Sequence, residues 1–534
     1  MATATRNIPV STQGANAGPQ LASSEKDFHR RMASISRQSG IYFAGTILTT
    51  AGGFFFKVFL ARSLGAEPLG IYTLGMTIVG VLGVFNALGL PTAATRFVSA
   101  YCARGEFDRL GTLLRGSLSL LIVCNLLLGS LLLLGGGWIA AKFYHLPALG
   151  PYLWAFALIM FFGVLNTFFG QIMAGYHDVA RRTFITHFLG VPANILLAVI
   201  LISVGLHLHG YLAAQVASAA LVFVLLARAT WKMTPRNARQ WGPLAPIDPE
   251  VVTFSAAAFG MAALEFVLAQ GDKILLGHYL DARQVGIYAV AMAMVGFVPV
   301  ALQSVNQIFS PTISELHAIG NYPMLQRLYS TLTKCVLIFT IPLALTMIVF
   351  AHPLMRIFGS SFVPGATVLV VGAVGQLINC AVGSVGFLLL MSGNQLQLVK
   401  IQALNAILLI VLGMVLVPRM GAPGAALATA ITVITTNLWL LRAVRRKLKL
   451  LPYNSSYLKL VFPTLISAGV LWVLEHGFLA PRSPWIIVLT AIIAAYASFL
   501  GMIWISGLDR YDREIAQMLW AKASNGIFRN EVSA

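Results

Sequence analysis

The sequence predicts an all-α polytopic membrane protein: two six-helix lobes related by a parallel repeat, plus two C-terminal transmembrane helices. Three observations predict it. Of 534 residues, 58% are hydrophobic and only 10% charged, where soluble domains carry about 25% charged residues. The apolar residues gather into runs of about 20, the length a helix needs to cross a hydrocarbon core about 30 Å thick. The stretch 57–72, KVFLARSLGAEPLGIY, returns as 273–288, KILLGHYLDARQVGIY, with both ends displaced by 216 residues.

In chain order, residues 1–36 are polar and read as a cytoplasmic tail, with no apolar core and cleavage site of a signal peptide. Fourteen spans follow, near 39–61, 70–90, 113–135, 149–172, 184–205, 210–230, 251–277, 285–309, 331–351, 364–391, 401–417, 423–441, 458–478 and 485–506. The second and third have bend points at Pro91 and at Gly135 to Gly137. The first lobe covers 37–230 and the second 251–450, joined by a linker at 231–250 in a stretch that carries Pro235, Pro243, Pro246 and Pro249. Residues 451–508 hold spans 13 and 14. The tail 509–534 contains DRYDREIAQMLW, whose Ile515, Met518 and Leu519 fit one side of an interfacial helix.

With the N-terminus inside, 28 Lys and Arg fall on the inner side and 7 on the outer, leaving Lys273 within a span. That asymmetry fits an even span count with both termini cytoplasmic. It also accounts for the net charge of +19 without nucleic acid. Six is even, so both copies of the repeat start on the same side. Such repeats are related by an axis along the membrane normal, and transporters place their pathway between them.

Cys102, Cys124, Cys335 and Cys380 lie in or beside apolar runs and read as packing residues. There is no phosphate-binding glycine loop, no nucleophile with a partnered base and no metal-ligand spacing. The chain therefore reads as a transporter and not an enzyme, with no cofactor beyond a coupling Na+ or H+.

Ionisable groups inside spans are costly and mark functional candidates. Lys57 lies near the outer end of span 1, where it either snorkels to the interface or serves the pathway. Lys273 sits deeper, beside Asp272. Glu265 is one heptad before Asp272 and shares its helix stripe, so span 7 offers two carboxylates for an ion or proton, or for a buried ion pair. Span 1 has no counterpart to them. Arg96 follows Gly89-Leu90-Pro91 and is either a phosphate-gripping guanidinium or an interface anchor. Among many amides, which also glue helices together, Gln303 and Gln307 share one face one turn apart. The run 442–449, RAVRRKLK, reads as a topology signal or an attractor of anionic headgroups.

The strings FFFKVFLARSLGAEPLGIYTLGMTIVGVLGVFNALGLPTAATRFVSAYCARGEF and GDKILLGHYLDARQVGIYAVAMAMVGFVPVALQSVNQIFSPTISEL resemble the polysaccharide transporter, or oligosaccharide flippase, family of the multidrug/oligosaccharidyl-lipid/polysaccharide exporter superfamily. The likeness covers about residues 37–450. It implies a V of two lobes in a bacterial inner membrane, flipping undecaprenyl-diphosphate-linked oligosaccharide outward by alternating access, as an antiporter, alongside glycan-assembly proteins. Fourteen spans are similar to the lipid II and sporulation flippase branches. In the former a span-7 carboxylate helps bind sodium, which implies Asp272, but that branch's span-8 arginine has no match in 285–309. On this reading Lys57, Lys273 and Arg96 neutralise the diphosphate, Gln303 and Gln307 meet the glycan, and Asp272 or Glu265 couples an ion. The alternatives are an ion-coupled multidrug exporter of the same superfamily and a membrane glycosyltransferase or polymerase, against which the short outer loops speak.

Overall fold

The computed structural model describes residues 52–239, 246–477 and 483–506, and all regular structure among them is helical. The first helix, α1, is described over 52–64. It is followed by α2 (Ala66–Ala87), α3 (Leu90–Arg104), α4 (Phe107–Trp138), α5 (Leu153–Gly175), α6 (Val179–Thr183), α7 (Val191–Leu201) and α8 (His207–Met233). The second half holds α9 (Pro249–Tyr279), α10 (Ala282–Val295), α11 (Val300–Ala318), α12 (Tyr322–Val349), α13 (Ala351–Arg356), α14 (Ala366–Val382), α15 (Val385–Met391), α16 (Gln395–Met420) and α17 (Ala422–Leu448). Two more follow, α18 (Val461–Gly477) and α19 (Pro484–Ser506).

Among the described residues, 11 helices are long and apolar enough to cross a membrane, or up to 12 if a bent pair counts as one span. Each expected span meets a helix or a run of helices. The first half of span 1, the polar N-terminal tail, the middle of the linker and the C-terminal interfacial helix lie outside the described residues.

The breaks within spans differ from expectation in instructive ways. Span 2 is α2 plus α3, parted at Leu88 and Gly89, both left-handed at φ 48° and 71°. Pro91 explains the break, because a ring without an N–H starts a helix well and cannot continue one. The three glycines at 135–137 produce no break: α4 runs through to Trp138 and into a π-helical turn, Ile139–Phe143. Glycine permits a kink without forcing one. Span 8 breaks between α10 and α11 with a bend of 50°. Span 10 breaks at Gly383, φ 75°, where a Cβ would stand 2.2 Å from the Thr333 hydroxyl of α12. That close approach requires glycine.

The linker is partly structured. Pro249 opens α9 behind the Asp248 cap, whose carboxylate accepts from the Glu250 N–H at 3.0 Å. This is the usual N-cap arrangement. Arg239 folds back to donate to the carbonyls of Thr234 and Lys232 at 2.6 and 2.7 Å.

The cores reveal how the halves meet. One hydrophobic core draws on both halves, joining Val58, Leu74, Phe156 and Tyr211 with Leu276, Tyr288, Met355 and Val417. At the other end of the bundle two further cores form. Leu90, Phe97, Leu113 and Phe168 form one that also takes in Val251 of α9, and Phe309, Leu325, Leu388 and Val444 form another in the second half. The halves thus share one core at the end bearing the twin 57–72 and 273–288 loops, while at the other end α9 packs against α3, where a Cβ on Gly89 would stand 2.1 Å from the Ser255 carbonyl oxygen.

The join depends on α2 lying against α10. A Cβ on Gly70 would stand 1.6 Å from the Ala282 carbonyl oxygen, and one on Gly286 would stand 1.9 Å from that of Ala66. The contact is reciprocal, and both pairs carry the 216-residue offset of the repeat. Only glycine lets two backbones approach this closely. Gly70→Ala and Gly286→Ala are therefore expected to pry the join apart and lower the thermal midpoint of the purified protein by several degrees. Gly129→Ala, with open space around its Cα, is the matched control and should leave the midpoint unchanged.

Candidate functional site

The two repeat-related lysines stand on α1 and α9, beside the core that joins the halves. Lys57 on α1 is exposed, and Lys273 on α9 is half-buried. Their ammonium groups lie close enough to act electrostatically on one another. Lys273 Nζ donates to Gln270 Oε1 at 2.6 Å, one turn back on its own helix. Neither lysine is ion-paired with a carboxylate among the described residues. Like charges within range of one another repel, and an anion between them would relieve that repulsion.

Asp272 points elsewhere. It is 8% exposed, and its Oδ2 accepts from the Tyr288 hydroxyl at 2.6 Å. Its Oδ1 accepts from the Lys273 backbone N–H at 2.8 Å. Successive helix side chains diverge by about 100°, so the neighbouring ammonium goes to Gln270 and the carboxylate goes into the second lobe. The sequence left open a buried ion pair for Asp272; among the described residues it has none. The Thr429 hydroxyl of α17 and Asn405 Oδ1 of α16, on helices that pack beside α9, are buried without a hydrogen-bond partner among the described residues. A buried carboxylate held by a neutral hydroxyl is suited to holding a small cation or a proton.

Glu265 does not join this cluster. It is exposed, forms no ion pair among the described residues, and stands about 10 Å along the helix from Asp272 by helical rise. The two carboxylates share a stripe, as the spacing predicts, but Tyr288 takes only one of them.

Arg96 lies at the opposite end from the lysines. Its Nη2 is 3.4 Å from Glu250 Oε1, with both side chains more than half exposed. Its guanidinium lies 4.8 Å from the Phe254 ring centroid and 5.3 Å from that of Phe97. Beside it the Tyr101 hydroxyl donates to Asp248 at 3.3 Å. Arg96 therefore ties α3 to the start of α9 and does not meet the lysines. Gln303 and Gln307 stand on an exposed face of α11, one turn apart as their spacing predicts, while Asn306 between them is buried. An exposed amide face on a membrane helix suits a water-filled space better than lipid.

Several other amides act as interhelical links. The Asn86 amide donates to Asn125, Asn437 donates to Asn379 at 3.0 Å, and Asn166 donates to the Ala219 carbonyl at 3.0 Å. The residue missed from the sequence is Tyr288. The signal was its place in the Gly-Ile-Tyr twin, together with the contrast at position 272, where the first copy has Phe56. Lacking a carboxylate there, Tyr72 instead accepts from Gln215 at 2.9 Å.

Such an architecture, apolar spans around a join that brings cations and a buried carboxylate into one region, defines a multi-pass membrane transporter. The chain belongs to the polysaccharide biosynthesis protein family, which it matches over residues 59–365, more than half its length. It is 21% identical over 402 residues to the probable low-salt glycan biosynthesis flippase Agl15 of Haloferax volcanii, covering 74% of this chain and 81% of that one. The probable flippase AglR of the same organism is 24% identical over 258 residues, covering 46% and 52%. Its fold is similar to the lipid II flippase MurJ in an inward closed conformation, with TM-score 0.69, 16% identity and coverage of 89% and 99%. It is also similar to an inward-facing multidrug resistance MATE family transporter, with TM-score 0.62, 14% identity and coverage of 75% and 94%. The family resemblance read from the sequence is borne out, and these relatives are transporters, not enzymes.

Tyr288→Phe removes the one side-chain donor to a buried carboxylate. A loss of about 1.5–3 kcal/mol is expected, read as a lower thermal midpoint. Lys273→Met, which gives up only a bond to a half-buried amide, should leave that midpoint near wild type.

Proposed function

We propose that the protein flips a lipid-linked oligosaccharide across the membrane, carrying its diphosphate between Lys57 and Lys273. The observation that supports this is that two lysines at equivalent positions of the repeat lie within electrostatic range of one another. A diphosphate is polyanionic, and its passage requires cations inside the membrane to offset lost hydration. Equivalent positions in two lobes supply one cation each, so the anion is gripped when the lobes meet and released when they part. The exposed Gln303 and Gln307 face would offer hydrogen bonds to sugar hydroxyls, and Arg96 a first contact for the phosphates at the other end. The glycan-biosynthesis name of the Haloferax relative favours the same substrate class.

The proposed carrier lipid is undecaprenol and the proposed direction inner to outer leaflet of a bacterial plasma membrane, with both termini cytoplasmic. The lysine and arginine asymmetry of the sequence supports that orientation. Transport would proceed by alternating access, the α2–α10 join parting in one state and re-forming in the other. Asp272, with Tyr288 at its side, would bind Na+ or H+ in one state and release it in the other. Glu265 is a second candidate for that role.

Similarity to a MATE transporter keeps an ion-coupled multidrug exporter as the second reading. A pair of lysines at the join disfavours cationic cargo. In proteoliposomes, wild type should move a fluorescent lipid-diphosphate oligosaccharide, and Lys57→Ala and Lys273→Ala should each reduce the rate at least tenfold with protein levels unchanged. Export of cationic dyes with no lipid flipping would establish the second reading instead. Asp272→Asn should leave lipid binding in place while abolishing the dependence of the rate on a sodium or proton gradient; an unchanged gradient dependence would remove Asp272 from the coupling role.

A further inference from the structure

The basic end of α17 stands apart from the join and plays no part in the proposed transport step. Arg442, Arg445, Arg446 and Lys449 are all exposed, whereas Ala443, Val444 and Leu448 between them are buried. At about 100° per residue the three arginines fall within an arc of about 100°, with Lys447 off to one side, and Lys449 follows as the left-handed C-cap of the helix. The buried residues belong to a core shared with Phe309, Ile313 and Tyr329, so the stripe is presented by a packed helix and not by a loose loop. None of the four cations is paired with a carboxylate among the described residues.

What lies beneath the stripe identifies its surroundings. Leu438 and Trp439, 52% and 36% exposed, precede Arg442 by four and three residues and Arg445 and Arg446 by seven, so they share its face. An exposed leucine and tryptophan on a spanning helix mark a lipid-facing surface, and tryptophan favours the headgroup boundary. The 20 residues from Ala422 to Leu441 span about 30 Å of hydrocarbon. The four cations occupy the next two turns, at the depth of the phosphates. After the helix, exposed Tyr453, Leu458 and Phe462 supply further groups suited to the same boundary.

We infer that Arg442, Arg445, Arg446 and Lys449 form a binding site for the phosphates of acidic phospholipids in the leaflet at this end of the bundle. Guanidinium forks take phosphate oxygens in bidentate fashion, and each basic residue near an acidic leaflet adds to the attraction. Because α17 packs against α14 and α16, bound lipid would brace the second lobe at its membrane edge. The site requires only that the chain spans a membrane, and it stands whether or not the flippase reading does.

The test uses full-length protein purified in detergent, with phosphatidylglycerol and phosphatidylcholine of matched chains added together and retained lipid counted by native mass spectrometry. Wild type should retain phosphatidylglycerol over phosphatidylcholine by about tenfold or more. The combined variant Arg442→Gln, Arg445→Gln, Arg446→Gln and Lys449→Gln should lose that preference, and the charge-preserving Arg442→Lys, Arg445→Lys and Arg446→Lys should keep most of it. Should the neutral variant fail to fold, Arg442→Gln with Arg446→Gln is compared against Lys447→Gln: the pair should lose preference and the single change should not. Equal retention by neutral variant and wild type, or equal loss from the pair and from Lys447→Gln, would overturn the proposal. So would displacement of phosphatidylglycerol by millimolar inorganic phosphate, since the stripe would then bind soluble anions.

Discussion

The constraint on which the rest of the structure depends is the backbone contact between α2 and α10. Gly70 meets the Ala282 carbonyl and Gly286 meets that of Ala66, with no side chain between. This contact unites one core from both halves and brings α1 and α9 close enough for Lys57 and Lys273 to sense each other. Helices in lipid gain no hydrophobic drive from associating with each other, so the join holds by the close packing that small residues permit.

A second consequence concerns charge. Asp272 and Lys273 are neighbours in sequence but face different partners, Tyr288 and Gln270. A helix separates neighbouring side chains too widely for a tight pair. One short stretch therefore delivers a cation toward the join and a carboxylate into the second lobe. In the first lobe Phe56 replaces the carboxylate, so the lobes share geometry and differ in electrostatics. Arg96 serves the other end. Its exposed pair with Glu250 contributes little energy by itself, but the flanking Phe97 and Phe254 rings hold it in register.

Much of this fold was legible in the sequence, because a helix in hydrocarbon must be apolar for about 20 residues and must satisfy its own backbone. The break in span 2 was legible too, since Gly-Leu-Pro writes it locally. The breaks in spans 8 and 10 were not: Gly383 breaks a span because Thr333, fifty residues earlier, crosses it. The glycines at 135–137 mark the opposite case, where a permissive sequence meets no neighbour that requires a break. Lys57, Lys273 and Asp272 were legible as costly intramembrane charges. Tyr288 was legible only as the end of the Gly-Ile-Tyr twin, because the role of a tyrosine in an apolar helix shows only when its hydroxyl finds an acceptor.

By itself the sequence determined where the apolar helices run, the likeness of 57–72 to 273–288 and the positions of the few charges, since hydropathy and internal likeness are properties of the chain alone. Only the tertiary structure decided what each charge meets: Lys273 the amide of Gln270, Asp272 the hydroxyl of Tyr288, and Arg96 the carboxylate of Glu250. The physical reason is that a partner is selected by helix packing at separations as large as the 154 residues between Arg96 and Glu250. Packing here follows from where glycine allows two backbones to touch.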